Sequence, residues 1–242
     1  MITRRMNEPS PRTAKSDHAV FEKEESNSAD LISVIENGDE GRWTAFKALG
    51  QKEDEQSKNF LIQQLVIGDW THRRAAIEAL ATRHCEVIAD RIAGLLSDPS
   101  EYVLRTALDA VRCCVIRRSH DRVAALLSST DESTVFSAVR ALGAIWEPED
   151  CRLVFGLHQS SRSVRLRKEA GYVLAQTAGP TNYKELVLYW MEHPQPYFRT
   201  VACELIDKFA ASDLRHVLVK LQDDPDGHVR KAARKAAESI EV

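Results

Sequence analysis

The stretch Asp224–Ala237, DPDGHVRKAARKAA, decides the fold. Take Val229 as position 0. Arg230 follows at position 1, Ala233 at 4, Ala236 at 7 and Ala237 at 8. Stepping back 31 residues places Phe198, Arg199, Ala202, Leu205 and Ile206 at the same positions. A further 32 gives Leu166, Arg167, Ala170, Val173 and Leu174, and another 32 gives Thr134, Val135, Ala138, Ala141 and Leu142. Three steps of 31 then reach Val103, Leu104, Ala107, Ala110 and Val111; His72, Arg73, Ala76, Ala79 and Leu80; and Gly41, Arg42, Ala45, Ala48 and Leu49. The chain carries seven copies, with alanine at position 4 in every one. A fixed period in this range marks a solenoid of stacked units.

Each copy has two halves. Apolar or small residues at positions 0, 4, 5, 7 and 8 make the stripe of an amphipathic helix. The preceding half carries its own stripe, for example Val87, Ile88, Ile92, Leu95 and Leu96, or Leu214, Val217, Leu218 and Leu221. Between them lie SDPS, EHPQP and DDPDG, and Asp98-Pro99 and Asp224-Pro225 suit a turn that leads into a helix start. The expected architecture is therefore all-α: a superhelix of about seven two-helix units. The small alanine at position 4 lets neighbouring helices approach closely.

The clearest copies, DPSEYVLRTALDAV, HPQPYFRTVACELI and DPDGHVRKAARKAA, resemble the short HEAT-like repeat found in phycobilisome-lyase-type proteins and many bacterial scaffolds. The resemblance spans about Leu31–Val242. Tetratricopeptide repeats fit less well, because their roughly 34-residue period and W…LG…Y pattern are absent. The resemblance implies a concave face of second helices that holds partners. It also implies a structural arginine ladder at position 1, here Arg42, Arg73, Arg167, Arg199 and Arg230, which Leu104 and Val135 interrupt.

The exposed arc is expected at positions 2, 3, 6 and 9. Position 2 reads Trp43, Arg74, Arg105, Phe136, Lys168, Thr200 and Lys231; position 6 reads Lys47, Glu78, Asp109, Arg140, Tyr172, Glu204 and Lys235. Aromatics mixed with arginines suit a protein-binding surface. The expected contact residues are Trp43, Arg74, Arg105, Phe136, Arg140, Lys168 and Tyr172, and the expected function is a non-catalytic scaffold or adaptor for a protein partner. A nucleic-acid track wants an unopposed positive strip, and the formal net charge of -3 argues against one. Nucleic acid stays open as the alternative, since alkylpurine DNA glycosylases resemble this repeat. Asp109, with Glu78 and Trp43, is the constellation that would serve such a cleft. Bilin lyases share the repeat as well. The di-iron type, deoxyhypusine hydroxylase, needs His-Glu dipeptides, and no histidine here precedes a glutamate.

Residues 1–28 are polar, mixed in charge and carry Pro9 and Pro11, so a disordered arm is expected ahead of an array over 29–242. The N-terminus has no apolar core of a secretory signal, and no run reaches the roughly 18 apolar residues of a membrane span. Five cysteines without a C-x-x-C pair read as free, mostly buried thiols in a cytoplasmic protein. No spacing matches a zinc site, so no metal and no cofactor is expected. The basic cluster Arg230, Lys231, Arg234 and Lys235 reads as a polar cap, with Arg234 standing where the other copies carry a core residue at position 5.

Overall fold

The computed structural model describes residues 27–240, and the expected arm lies outside them apart from Asn27 and Ser28. These two are the N-cap and the first residue of the first helix. Fourteen α-helices and no strand are found among the described residues. The seven first helices are α1 (Ser28–Glu36), α3 (Glu55–Ile67), α5 (Cys85–Leu95), α7 (His120–Ala125), α9 (Asp150–Ser160), α11 (Tyr183–Trp190) and α13 (Arg215–Leu221). The seven second helices are α2 (Arg42–Gln51), α4 (Trp70–Arg83), α6 (Glu101–Cys114), α8 (Glu132–Ile145), α10 (Val164–Thr177), α12 (Pro196–Lys208) and α14 (Gly227–Ser239). Each second helix packs on the first helix before it, so the seven copies are seven helical hairpins.

Local chemistry sets the helix starts. Asp69, Asp131, Ser163 and Asp226 accept backbone N–H groups of the first turns of α4, α8, α10 and α14, and Pro196 opens α12 where no donor is needed. Asp98 and Asp224 each fold back to accept the N–H two residues on, Ser100 and Asp226, which shapes the Asp-Pro turns.

The alanine column explains the stacking. Ala76, Ala107, Ala138, Ala170, Ala202 and Ala233 are fully buried, and Ala45 is nearly so. With only a methyl group between them, α2, α4, α6 and α8 pack one against the next, α8 packs on α10, and α12 packs on α14. The first helices make far less contact with one another along the array. The second helices therefore form the tighter, inner row, and the array curves around them.

One junction departs from this rule. The helices α10 and α12 come together much less than the other consecutive second helices. Phe198 occupies position 0 of the sixth repeat, where other repeats carry Val103, Leu166 or Val229. Its ring reaches over Gly171 of α10. A Cβ built there would stand 2.4 Å from Phe198 Cζ and 2.7 Å from His158 Cε1, so glycine is required by close approach. A ring takes the place of backbone packing here.

The expectation of five free thiols is corrected. Cys85, the first residue of α5, and Cys114, the last of α6, are disulfide-bonded with their Cα atoms 5.3 Å apart. Antiparallel helices of one hairpin bring their far ends side by side, which makes residues 29 apart in sequence neighbours. Cys113 is exposed, while Cys151 and Cys203 are buried. Burial pushes the Cys203 thiol up to about 12.

Two outcomes are expected. Ala138→Leu should lower unfolding free energy by roughly 1–3 kcal/mol in a urea melt, through overpacking between α6, α8 and α10. Reducing Cys85–Cys114 should lower it by about 2–4 kcal/mol in the same assay, whereas Cys85→Ala and Cys114→Ala variants should not respond to reductant.

Candidate functional site

The inner face is built from one stripe of each second helix, displaced from the expected arc. Positions 2 and 6 are exposed or half-exposed as anticipated. Position 3 is mixed, with Ala75 and Val201 buried, Glu169 half-buried and Thr44 exposed, and position 9 is buried at Gly50 and exposed at Glu238. The stripe is completed instead by position -1, with Tyr102, Arg165 and Tyr197 exposed, and by position 10, with Gln51, Thr82 and Lys208 exposed. The helix pitch accounts for this: residues 3 to 4 apart share a face, so -1, 2, 6 and 10 align.

Trp43 is 41% exposed, and the Arg74 guanidinium lies 6.0 Å from its ring centre while Arg74 Nε donates to Glu78 at 2.9 Å. Arg105 sits 5.1 Å from the Tyr102 ring and pairs with Asp131 at 3.3 Å and Glu101 at 3.5 Å. Phe136 is half-buried beneath two guanidinium groups, Arg165 at 3.9 Å and Arg140 at 5.9 Å. Arg140 also faces Glu169 at 3.4 Å. Lys168 is exposed, and Tyr172 meets Tyr197 edge-on at 5.0 Å. The seven expected residues thus form local groups of two to four across neighbouring repeats rather than one cluster.

Sequence reading missed Trp70, Tyr102, Arg165 and Tyr197. Trp70 and Tyr102 stack at 5.1 Å and stay 43% and 54% exposed, joining α4 to α6 at the open surface. Three of the four stand in the position -1 column, and reading that column with columns 2 and 6 would have found them. Every exposed tryptophan or tyrosine among the described residues, namely Trp43, Trp70, Tyr102, Tyr172 and Tyr197, lies on a second helix. Asp109, by contrast, pairs with Arg112 at 3.5 Å on α6, two second helices away from Trp43.

The position 1 arginines bind turns. Arg73 forks onto Asp98 of the next repeat at 2.7 and 2.9 Å and donates to the Gly68 carbonyl. Arg199 forks onto Asp224 at the same distances and donates to the His193 carbonyl. The Asp224 carboxyl is held below its ordinary value, chiefly by that hydrogen bond. Arg167 and Arg230 donate to turn carbonyls of their own repeats, Ser161 and Asp224. Arg42 makes no side-chain hydrogen bond among the described residues. On α14, Arg230, Lys231, Arg234, Lys235 and Glu238 line an open groove of about 430 Å³, and Arg234 is exposed.

Beneath the Tyr172–Tyr197 pair lies a ring cluster that holds it in place. Phe198 contacts Tyr172, Tyr197, Trp190, His193 and His158. His158 is 2% exposed. Its Nδ1 lies 2.7 Å from the Arg167 carbonyl, so Nδ1 carries the proton and Nε2 accepts from Trp190 Nε1 at 2.9 Å. Both nitrogens of a neutral ring are satisfied. Burial lowers the His158 pKa further, and it lowers that of the stacked His193. One junction earlier, His120 faces the buried Asp150 at 3.0 Å, with Asp121 and Glu147 on its other nitrogen. Burial opposes the charged His120 ring, but these carboxylates prevail and raise its pKa.

No family model matches the chain, and no curated protein sequence does. The fold does have solved counterparts. An engineered protein, target OR497, superposes with a TM-score of 0.59 at 20% identity over 89% of this chain and 68% of its own. A HEAT-like repeat protein from the archaeon Thermococcus onnurineus gives 0.56 at 13% identity, over 89% and 97%. The complex of CpcE and CpcF of phycocyanin lyase from Nostoc gives 0.54 at 16% identity, over 96% and 100%. The chain has the fold of a HEAT-like α-solenoid. Among the described residues no group of acidic, histidine and cysteine side chains is arranged to hold a metal, and no helix is long and apolar enough to cross a membrane.

The two histidine junctions carry opposite pH signatures. His120, with its pKa raised, stabilises the fold fully below the ordinary histidine value of about 6.5, and this is lost as pH rises through the raised one. His158, with its pKa lowered, stabilises above the ordinary value, and this is lost as pH falls through the depressed one. In urea melts His120→Gln should therefore cost more at about pH 5.5 than at about pH 8, and His158→Gln should cost more at about pH 8.

Proposed function

We propose that the protein is a non-catalytic scaffold that holds a partner protein along its inner face. The observation that carries this reading is the confinement of every exposed tryptophan and tyrosine among the described residues to the second helices. Scattered exposure would spread rings over both faces of the array. Their restriction to one face, beside arginines, matches the composition of protein interfaces. In this reading Trp43, Arg74, Arg105, Phe136, Arg140, Lys168 and Tyr172 make the contact, together with Trp70, Tyr102 and Arg165. The likeness to the CpcE and CpcF complex supports it, since that too is an association between proteins.

The nucleic-acid reading has less support. Arg74, Arg105, Arg112 and Arg140 are each paired with a carboxylate on this face, and the basic groove on α14 is separated from Arg165 and Lys168 by Thr200 and Glu204 of α12. A phosphate track needs cations that are continuous and free. Capture from lysate with Arg105→Ala/Phe136→Ala should recover at least about tenfold less of the partner than the wild-type chain does, with helicity and melting unchanged by circular dichroism. Equal recovery by the double variant would remove the inner-face assignment.

A further inference from the structure

The two halves of the inner face ask for different chemistry. In repeats one to three the arginines of this face are answered locally, Arg74 by Glu78 and Arg105 by Asp131 and Glu101, and Lys47 is an exposed cation with no carboxylate partner among the described residues. Also on offer there is the stacked pair Trp70 and Tyr102, both about half exposed, with Trp43 beside Arg74. Flat exposed rings beside paired arginines suit an aromatic or aliphatic side chain.

Repeats four and five differ. Arg140 is occupied by Glu169, and Glu132, the acid at the start of α8, takes the Ser163 hydroxyl at 2.5 Å. The Arg165 guanidinium sits over the Phe136 ring at 3.9 Å, and Lys168 is exposed one turn further along α10. Neither pairs with a carboxylate among the described residues. The ring contact restrains the Arg165 guanidinium while no carboxylate among the described residues takes its donors, which leaves them for an incoming anion. A basic segment would meet two unopposed cations here. A polyanion running the length of the face would meet Glu78, Glu101, Asp131 and Glu132 on its way.

Spacing follows from the stack. The Trp70–Tyr102 pair bridges α4 and α6, and Phe136–Arg165 bridges α8 and α10, so the two are separated by two interhelix steps. At about 10 Å per step the separation is roughly 20 Å. An extended chain advancing about 3.3 Å per residue covers this in about six residues.

We propose, building on the inner-face reading, that the occupant is an extended acidic segment of a partner protein. An aromatic or aliphatic side chain rests on Trp70 and Tyr102, and a carboxylate about six residues away binds Arg165 and Lys168. The probes are labelled synthetic peptides carrying one Trp and one Glu-Glu pair, joined by a Gly/Ser spacer and made in both orders. Binding is read by fluorescence anisotropy at physiological salt.

Replacing Glu-Glu by Lys-Lys should weaken binding at least about tenfold, as should replacing the peptide Trp by Ala or cutting the spacer to two residues. Trp70→Ala should weaken the acidic peptide by a similar factor. Arg165→Glu/Lys168→Glu should reverse the preference, losing the Glu-Glu peptide and gaining the Lys-Lys one. Equal binding of the two peptides, or no binding of any, overturns the proposal. So does tighter binding of a single-stranded oligonucleotide that responds to the same reversal. If the Lys-Lys peptide binds and depends on Trp70, the inner face stands and only its acidic specificity falls. The inner-face reading itself falls on the Arg105→Ala/Phe136→Ala capture, which does not depend on the peptides.

Discussion

The close approach of the second helices across the alanine column is the constraint on which the rest of the structure depends. Seven buried methyl groups leave room for helix next to helix, while the first helices carry bulkier stripes and stand further apart. That inequality curves the array. It also brings residues about one repeat apart into ring contact at the surface, as with Trp70 and Tyr102 or Phe136 and Arg165. The inner face is thus a product of core packing. A larger residue at position 4 would push these pairs apart before it touched any of them. Because each unit contacts mainly its neighbours, such a disturbance stays local.

The junction between the fifth and sixth repeats shows what happens when the spacing rule is relaxed. Phe198 separates α10 from α12, and the lost helix contact is replaced by a cluster of rings closed by two hydrogen bonds on His158. Polar groups inside such a cluster are tolerated because each is satisfied: the imidazole has a donor on one side and an acceptor on the other. The junction before it uses a histidine the opposite way, among carboxylates that favour its charged form. One residue type serves adjacent junctions with its pKa moved in opposite directions, and the environment alone decides which.

The period, the helix pairs and the buried alanines were legible because they repeat, and repetition converts one sequence into seven aligned readings. The arginine ladder was legible only in part. Its partner sits five residues before position 0 of the following repeat, a column that reads Asp98, Ser129, Ser161, His193 and Asp224. Against Arg73, Leu104, Val135, Arg167 and Arg199, the aspartates face arginines and the serines face aliphatics, so the interruption is a matched change on both sides. The Cys85–Cys114 bridge was not legible, since it joins the first and last residues of one hairpin and falls in no shared column. The exposed arc was placed only in part, because positions 3 and 9 are open at Thr44 and Glu238 but covered by a neighbouring helix at Ala75, Val201 and Gly50. Position -1 was overlooked because it adjoins the turn and was counted with it.

What separates the structural charges of this face from those available to a partner is whether the fold already answers them. Arg73 and Arg199 are satisfied by aspartates of the next repeat and by turn carbonyls, and they are largely buried. Arg74, Arg105 and Arg140 are answered at the surface, where such pairs contribute about 0–1 kcal/mol and rearrange at little cost. Arg165 and Lys168 are answered by no carboxylate among the described residues. A cation held over a ring has already lost some of its side-chain freedom, so an incoming carboxylate gains the hydrogen bonds without the full cost of ordering the guanidinium. In the proposed reading, specificity on this face rests on these two residues, which position 1 and the alanine column leave unconstrained. This is why the repeat pattern, strong enough to dictate the fold, says so little about what the fold holds.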